Sequence, residues 1–206
     1  MVLVSALLGL LVGLLAHGSF GSILHKRFRQ IWLVFLSIAC ELFVSSGLMS
    51  RWFVDSDWAK SSLLLQRGAA TLVFFAVVQY GTLTLFLLFN FKKPGLRLVL
   101  LGSLLNAAAI LANGGRMPVG AALGRHLDSA ALQAAIDRIT ASPNYFYAPS
   151  GAPLLFLGDI LPVRLLSAYM ISVGDIFLSF GLFLFAWYLV RRPRRTRPSR
   201  NATGAL

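Results

Sequence analysis

Cysteine and acidic residues are both scarce in this chain. Cys40 is the only cysteine in 206 residues, so no internal disulfide and no cysteine metal cluster can form. Aspartate and glutamate together number seven, and all charged residues make up only 13% of the chain. Soluble domains carry about 25% charged residues, so this shortage argues against an ordinary soluble domain. Glycine-rich phosphate loops, dinucleotide fingerprints and long-period repeats are also missing, and the expectation is no metal and no cofactor. The run Met1 to Ala16 has no positive n-region, which sets it apart from a secretory signal peptide and makes it a retained first span.

What is present is apolar and basic. Hydrophobic residues fill 57% of the chain, and the net charge is +12. Runs long enough to approach the ~20 residues of a membrane-crossing helix fall at about 1–18, 31–50, 69–90, 96–113 and 166–190. The fold class they predict is all-α: one integral-membrane domain over 1–190, built as a bundle of about five transmembrane helices. Gly9 and Gly13 stand at a small-xxx-small spacing that lets another helix come close. Lys26, Arg27 and Arg29 follow the first span, Lys92, Lys93 and Arg97 join the third to the fourth, and six arginines crowd the tail 191–206. The positive-inside rule puts all three clusters in the cytoplasm, with the N-terminus outside. The location expected is a membrane crossed several times, with the C-terminus in the cytoplasm. The expected partners are the bilayer and, at the basic tail, anionic lipid headgroups. Without a soluble basic domain, nucleic acid is not a partner.

On the outer side the sequence leaves a short loop holding Arg51, Trp52, Phe53 and Trp58, and a long cap at 114–165. Within the cap, Leu127 to Thr140 reads as a short amphipathic surface helix and Pro143 to Pro153 as loop. A long segment between two membrane helices is more often functional than decorative.

Carboxylates near a membrane are expensive, so each is a candidate site. Glu41, Gln79 and Asn106 fall within the second, third and fourth spans at similar depth, where one bundle interior can gather them. Two phrases repeat Gly-Asp-Ile: Phe156-Leu157-Gly158-Asp159-Ile160-Leu161-Pro162 and Ser172-Val173-Gly174-Asp175-Ile176. Asp175 sits about ten residues deep if the last helix begins near Leu165. It sits at the membrane edge if Ser172 and Asp175 form a capping box. Asn113-Gly114-Gly115 is a helix C-cap and turn, and it presents Arg116 where a carboxylate or lipid phosphate can be bound.

Leu105-Asn106, Asn113-Gly114-Gly115-Arg116-Met117-Pro118-Val119 and the two Gly-Asp phrases together resemble the bacterial integral-membrane family of unknown function 5317. The resemblance implies a multi-pass protein of the bacterial cytoplasmic membrane and supplies no activity. A second, partial likeness is to lipoprotein signal peptidases, and it implies a catalytic pair at Asp159 and Asp175. Ser172 stands where that family has asparagine, no aspartate precedes Arg116, and the spans number five rather than four. Three functions therefore compete. The first is a scaffold or subunit whose polar residues only hold the bundle. The second is a transporter or binding protein for a small or lipidic ligand using Glu41, Gln79 and Asn106, with Asn113 and Arg116 as further ligand contacts. The third is an aspartate-dyad hydrolase using Asp159 and Asp175.

Overall fold

The computed structural model describes residues 2–46, 62–164 and 168–191. The chain is mainly helical, with seven α-helices among the described residues. In chain order they are α1 (Val2–Leu15), α2 (Gly21–Leu24), α3 (Trp32–Ser45), α4 (Ser62–Asn90), α5 (Leu96–Ala112), α6 (Ser129–Ala141) and α7 (Val173–Val190). The expected outer loop from Arg51 to Lys60 and the arginine tail beyond Arg191 lie outside the described residues.

Two described stretches are long and apolar enough to cross a membrane, Ala70–Asn90 and Val173–Val190. Helices α1 and α3 have 14 residues each and α5 has 17. At 1.5 Å per residue a 14-residue helix covers about 21 Å, less than a hydrocarbon core of about 30 Å. The last helix begins at Val173, not at 166 as the apolar run implied. Ser172 is its N-cap and forms the full capping box with Asp175, while Ala168–Ile171 immediately before it is a strand.

The cap corrects the all-α expectation in another way, because it carries two small sheets. Strand β1 (Met117–Gly120) pairs in parallel with β2 (Tyr145–Ala148), inside the segment expected to be loop. Strand β3 (Leu161–Arg164) pairs antiparallel with β4 (Ala168–Ile171). Asp159 joins the first sheet at its free edge: its N–H donates to the Pro118 carbonyl (2.9 Å), and its carbonyl accepts from Gly120 N–H (3.0 Å). The amphipathic helix of the cap runs Ser129–Ala141, with the Asp128 side chain capping it by accepting from Ala131 N–H (2.8 Å).

Close backbone approaches hold the bundle together. Helix α7 packs on α1 and on α5, and glycines line both seams. A Cβ on Gly9 would strike the Phe183 carbonyl oxygen, and one on Gly13 would strike the Val190 side chain. On the other side, Gly102 faces Gly174 and Gly95 faces Gly181. Gly95 and Gly102 stand seven positions apart, as do Gly174 and Gly181, about two turns in each case, so both contacts fall on one face. Toward the far end Leu33, Phe86, Leu87, Leu96 and Val99 form the apolar core, with Phe28, Leu178, Leu182 and Phe185 packed on it. That end also gathers the basic clusters: Lys26 lies 4.2 Å from the Tyr188 ring centre, Lys93 5.1 Å from Phe28, and Arg191 5.7 Å from Trp187. The basic residues and the cap therefore occupy opposite ends of α7.

Candidate functional site

Under the cap lies a cavity of about 120 Å³, walled by both the helices and the cap. Glu41 comes from α3, Gln79 and Tyr80 from α4, Asn106 from α5 and Asp175 from the first turn of α7. The cap contributes Asn144, Tyr145 and Asp159. Five residues singled out from the sequence thus face one space. A cavity this size holds a few waters or a small polar molecule.

Each Gly-Asp phrase uses its glycine to bring the following aspartate to this space. A Cβ on Gly158 would lie 2.6 Å from the Pro118 carbonyl oxygen, so only glycine lets the chain lie against β1 there. The two ladder bonds of Asp159 then fix its backbone. Its side chain is 8% exposed, and Oδ1 is buried with no hydrogen-bond partner in the protein. Burial, and after it the charge of Asp175, pushes this carboxyl up to about 7. Close to neutral pH it therefore exchanges its proton readily. Burial and the charges of Asp159, Glu41 and Asp175 likewise push the Tyr145 phenol up to about 12, so it remains a donor.

Gly174 acts in the same way between helices. Any side chain there would overlap Asn106 Oδ1 and would come within 2.8 Å of the Gly102 carbonyl oxygen. The resulting approach builds a closed network. Asn106 Nδ2 donates to Asp175 Oδ1 (2.9 Å), and Ser172 Oγ donates to Asn106 Oδ1 (2.8 Å). Ser172 N–H donates to Asp175 Oδ2 (3.2 Å), while Ser172 Oγ accepts from Asp175 N–H (2.9 Å). Of the two registers the sequence left open for Asp175, the structure has the capping box.

On the opposite wall Glu41 Oε2 accepts from Gln79 Nε2 (2.7 Å), and Oε1 accepts from Ser45 Oγ (2.9 Å) and Asn144 Nδ2 (3.2 Å). Asn144 belongs to the cap, so Glu41 is tied to the cap as well as to α4. Asn144, Tyr145 and Tyr80 had no signal in the sequence. A loop amide and tyrosines beside apolar runs look like ordinary surface and packing residues until the cap is folded down.

Asn113 and Arg116 do not line the cavity. Asn113 closes α5, its Nδ2 donating to the carbonyls of Ala109 and Pro153 (both 2.7 Å). Gly114 and Gly115 follow with φ of 66° and 85°, the left-handed turn that Asn-Gly-Gly predicts. Arg116 donates to the carbonyls of Tyr145 and Ser142, and its guanidinium carbon is 5.8 Å from the Phe146 ring centre. Burial pulls that guanidinium below its usual value. Asn113 thus fastens the cap to the end of α5, while Arg116 braces the cap internally. Among the described residues no three His, Cys, Asp or Glu side chains group closely enough to hold a metal ion.

The profile of the family of unknown function DUF5317 matches residues 25–187, from the first basic cluster to the last turns of α7. An uncharacterized protein of Thermotoga maritima is 34% identical over 129 residues, which span 60% of this chain and 67% of that one. No solved structure matches the chain. The matched region includes every residue that lines the cavity. The chain belongs to the DUF5317 family.

Proposed function

We propose that this is a multi-pass protein of the bacterial cytoplasmic membrane and that the cavity under its cap binds a small polar ligand, for uptake, export or sensing. Three observations support the membrane placement. Two helices have spanning length and composition. Large apolar side chains point outward along the bundle, among them Leu15 (74% exposed), Phe35 (66%) and Phe180 (57%). The basic clusters share the end away from the cap, as the positive-inside rule requires of a cytoplasmic face. Single cysteines placed at Ser19 on the basic side and at Ser150 in the cap of the Cys40→Ala protein test the orientation. In intact spheroplasts a membrane-impermeant maleimide should label only position 150, and labelling of position 19 alone would reverse the topology.

The observation that carries the binding reading is the unpartnered Oδ1 of Asp159. A scaffold explains Glu41, Gln79, Asn106 and Asp175, whose polar atoms satisfy one another, but it does not explain a buried carboxylate with nothing to hold. Such a group costs stability and is retained where it meets solvent or ligand. Asp159→Asn and Glu41→Gln are each expected to abolish complementation of a deletion strain while membrane abundance stays within about twofold of wild type. If both variants fail only by disappearing from the membrane, the scaffold reading is correct instead.

A second reading, an aspartate-dyad hydrolase for a lipid-linked or membrane-embedded substrate, draws support from the proton that Asp159 holds beside Asp175. It requires loss at Asp159→Asn and Asp175→Asn with Glu41→Gln still active. That pattern would displace the binding reading.

A further inference from the structure

Resting on the reading of this cavity as a binding site, we propose that its ligand is a small organic monocation of the ammonium or guanidinium type. Glu41, Asp159 and Asp175 reach one space from three separate elements, and no lysine, arginine or histidine lines it. The rest of the polar wall is neutral: Gln79, Asn106 and Asn144, with the phenols of Tyr80 and Tyr145. Carboxylates facing a small cleft without a counter-charge focus a negative potential there. An anion, including a lipid phosphate, would be repelled, whereas a cation would be concentrated.

The carboxylates also differ in what they have left to offer. Glu41 is engaged by Gln79, Ser45 and Asn144, and Asp175 by Asn106 and Ser172. Asp159 presents the one buried carboxylate oxygen without a protein partner among the described residues. It is therefore the point where a ligand N–H would make a charge-assisted hydrogen bond, while the other two supply field. The three groups surround a volume of about 120 Å³ and do not close on a point, as the lack of any metal-holding group among the described residues shows. That spacing suits a cation of several atoms, and tyrosine rings in the wall suit it further.

The arrangement couples the cation to a proton. Asp159 is faced by Glu41 of α3, Tyr80 of α4, Tyr145 of β2 and Asp175 of α7. Arg116, next to the lining residue Gly115, directs its guanidinium at the carbonyls of Ser142 and Tyr145. A bound monocation favours the ionised form of Asp159, so the proton leaves as the cation enters. With that carboxyl near 7, apparent affinity at about pH 5.5 falls about thirtyfold below that at about pH 8.

The test uses the full-length protein in lipid nanodiscs and isothermal titration with methylammonium or guanidinium chloride at millimolar concentration. Urea serves as the neutral isostere, and sodium and magnesium chlorides as metal controls. Saturable binding of an organic cation is expected, tighter at pH 8 than at pH 5.5, lost by at least tenfold in Asp159→Asn and weakened in Glu41→Gln. Equal binding of urea, tighter binding of magnesium or sodium, or unchanged binding by folded Asp159→Asn protein would overturn it. Absence of any binding by the wild-type protein would overturn it too. If complementation is still lost at normal abundance in that last case, only the cation class fails and the binding site stands.

Discussion

Replacing Gly174 by valine is expected to prevent the chain from reaching its folded state. The position tolerates no side chain, because a Cβ there would overlap Asn106 Oδ1 and press within 2.8 Å of the Gly102 carbonyl oxygen. Nor can the neighbours yield. Asn106 is held by Asp175 and Ser172, and Gly102 is backbone in the middle of α5. Overpacking a tight contact costs roughly 1–3 kcal/mol where side chains can shift, and more where backbone must move. Here the two helices must separate, which also breaks the capping box and leaves Asn106 buried without partners. A loss of several kcal/mol is a large share of the ~5–15 kcal/mol that proteins typically have. Immunoblots of membrane fractions should show abundance down at least fivefold for Gly174→Val. Gly114→Ala should differ, since a Cβ there meets nothing within 4 Å and only the φ of 66° opposes it. Normal abundance of Gly174→Val would mean that α5 and α7 do not touch there.

The second large effect is a stability that falls as pH rises. Asp159 is pushed from 3.8 to about 7 on folding, by burial first and the charge of Asp175 second. Between those values the folded protein holds a proton that the unfolded chain has released. Stability from this group is therefore complete below about pH 4 and is lost as pH rises through 7. At 1.36 kcal/mol per unit the loss is on the order of 4 kcal/mol, most of it gone by about pH 8. The quantity to measure is the difference between wild type and Asp159→Asn, which isolates this group. That difference should widen steadily from pH 4 to pH 8 in nanodisc unfolding by chemical denaturant. A difference independent of pH would show that Asp159 is ordinary and ionised.

Much of this was legible in the sequence because long apolar helices announce themselves by composition. The helices α1, α3, α4 and α5 fall on apolar runs, and Gly9 and Gly13 mark where α7 approaches. Glu41, Gln79, Asn106, Asp159 and Asp175 stood out because polar groups are rare against such a background. The beginning of α7 was misplaced because Ala168-Tyr169-Met170-Ile171 is as apolar as the helix after it. Hydropathy cannot separate a short apolar strand from a helix turn, whereas the Ser172–Asp175 cap can. The strands of the cap were missed for a similar reason. Four-residue strands whose partners stand 28 positions apart, as Met117 and Tyr145 do, leave no local period to read. Arg116 stood out because its conspicuous charge follows a rigid turn, whereas the Ser142 and Tyr145 carbonyls that accept from it lie far along the chain and gave no local signal.

The central claim is that Asp159 is kept for a site at the expense of stability, and the thermal midpoint of Asp159→Asn against wild type near pH 8 tests it most directly. The substitution keeps shape and removes the buried charge. If the carboxylate serves a ligand, the variant should melt higher than wild type, by roughly 5–10 °C for a chain of this size. If Asp159 instead holds the bundle together, the variant should melt lower, and the cavity would then be part of the scaffold.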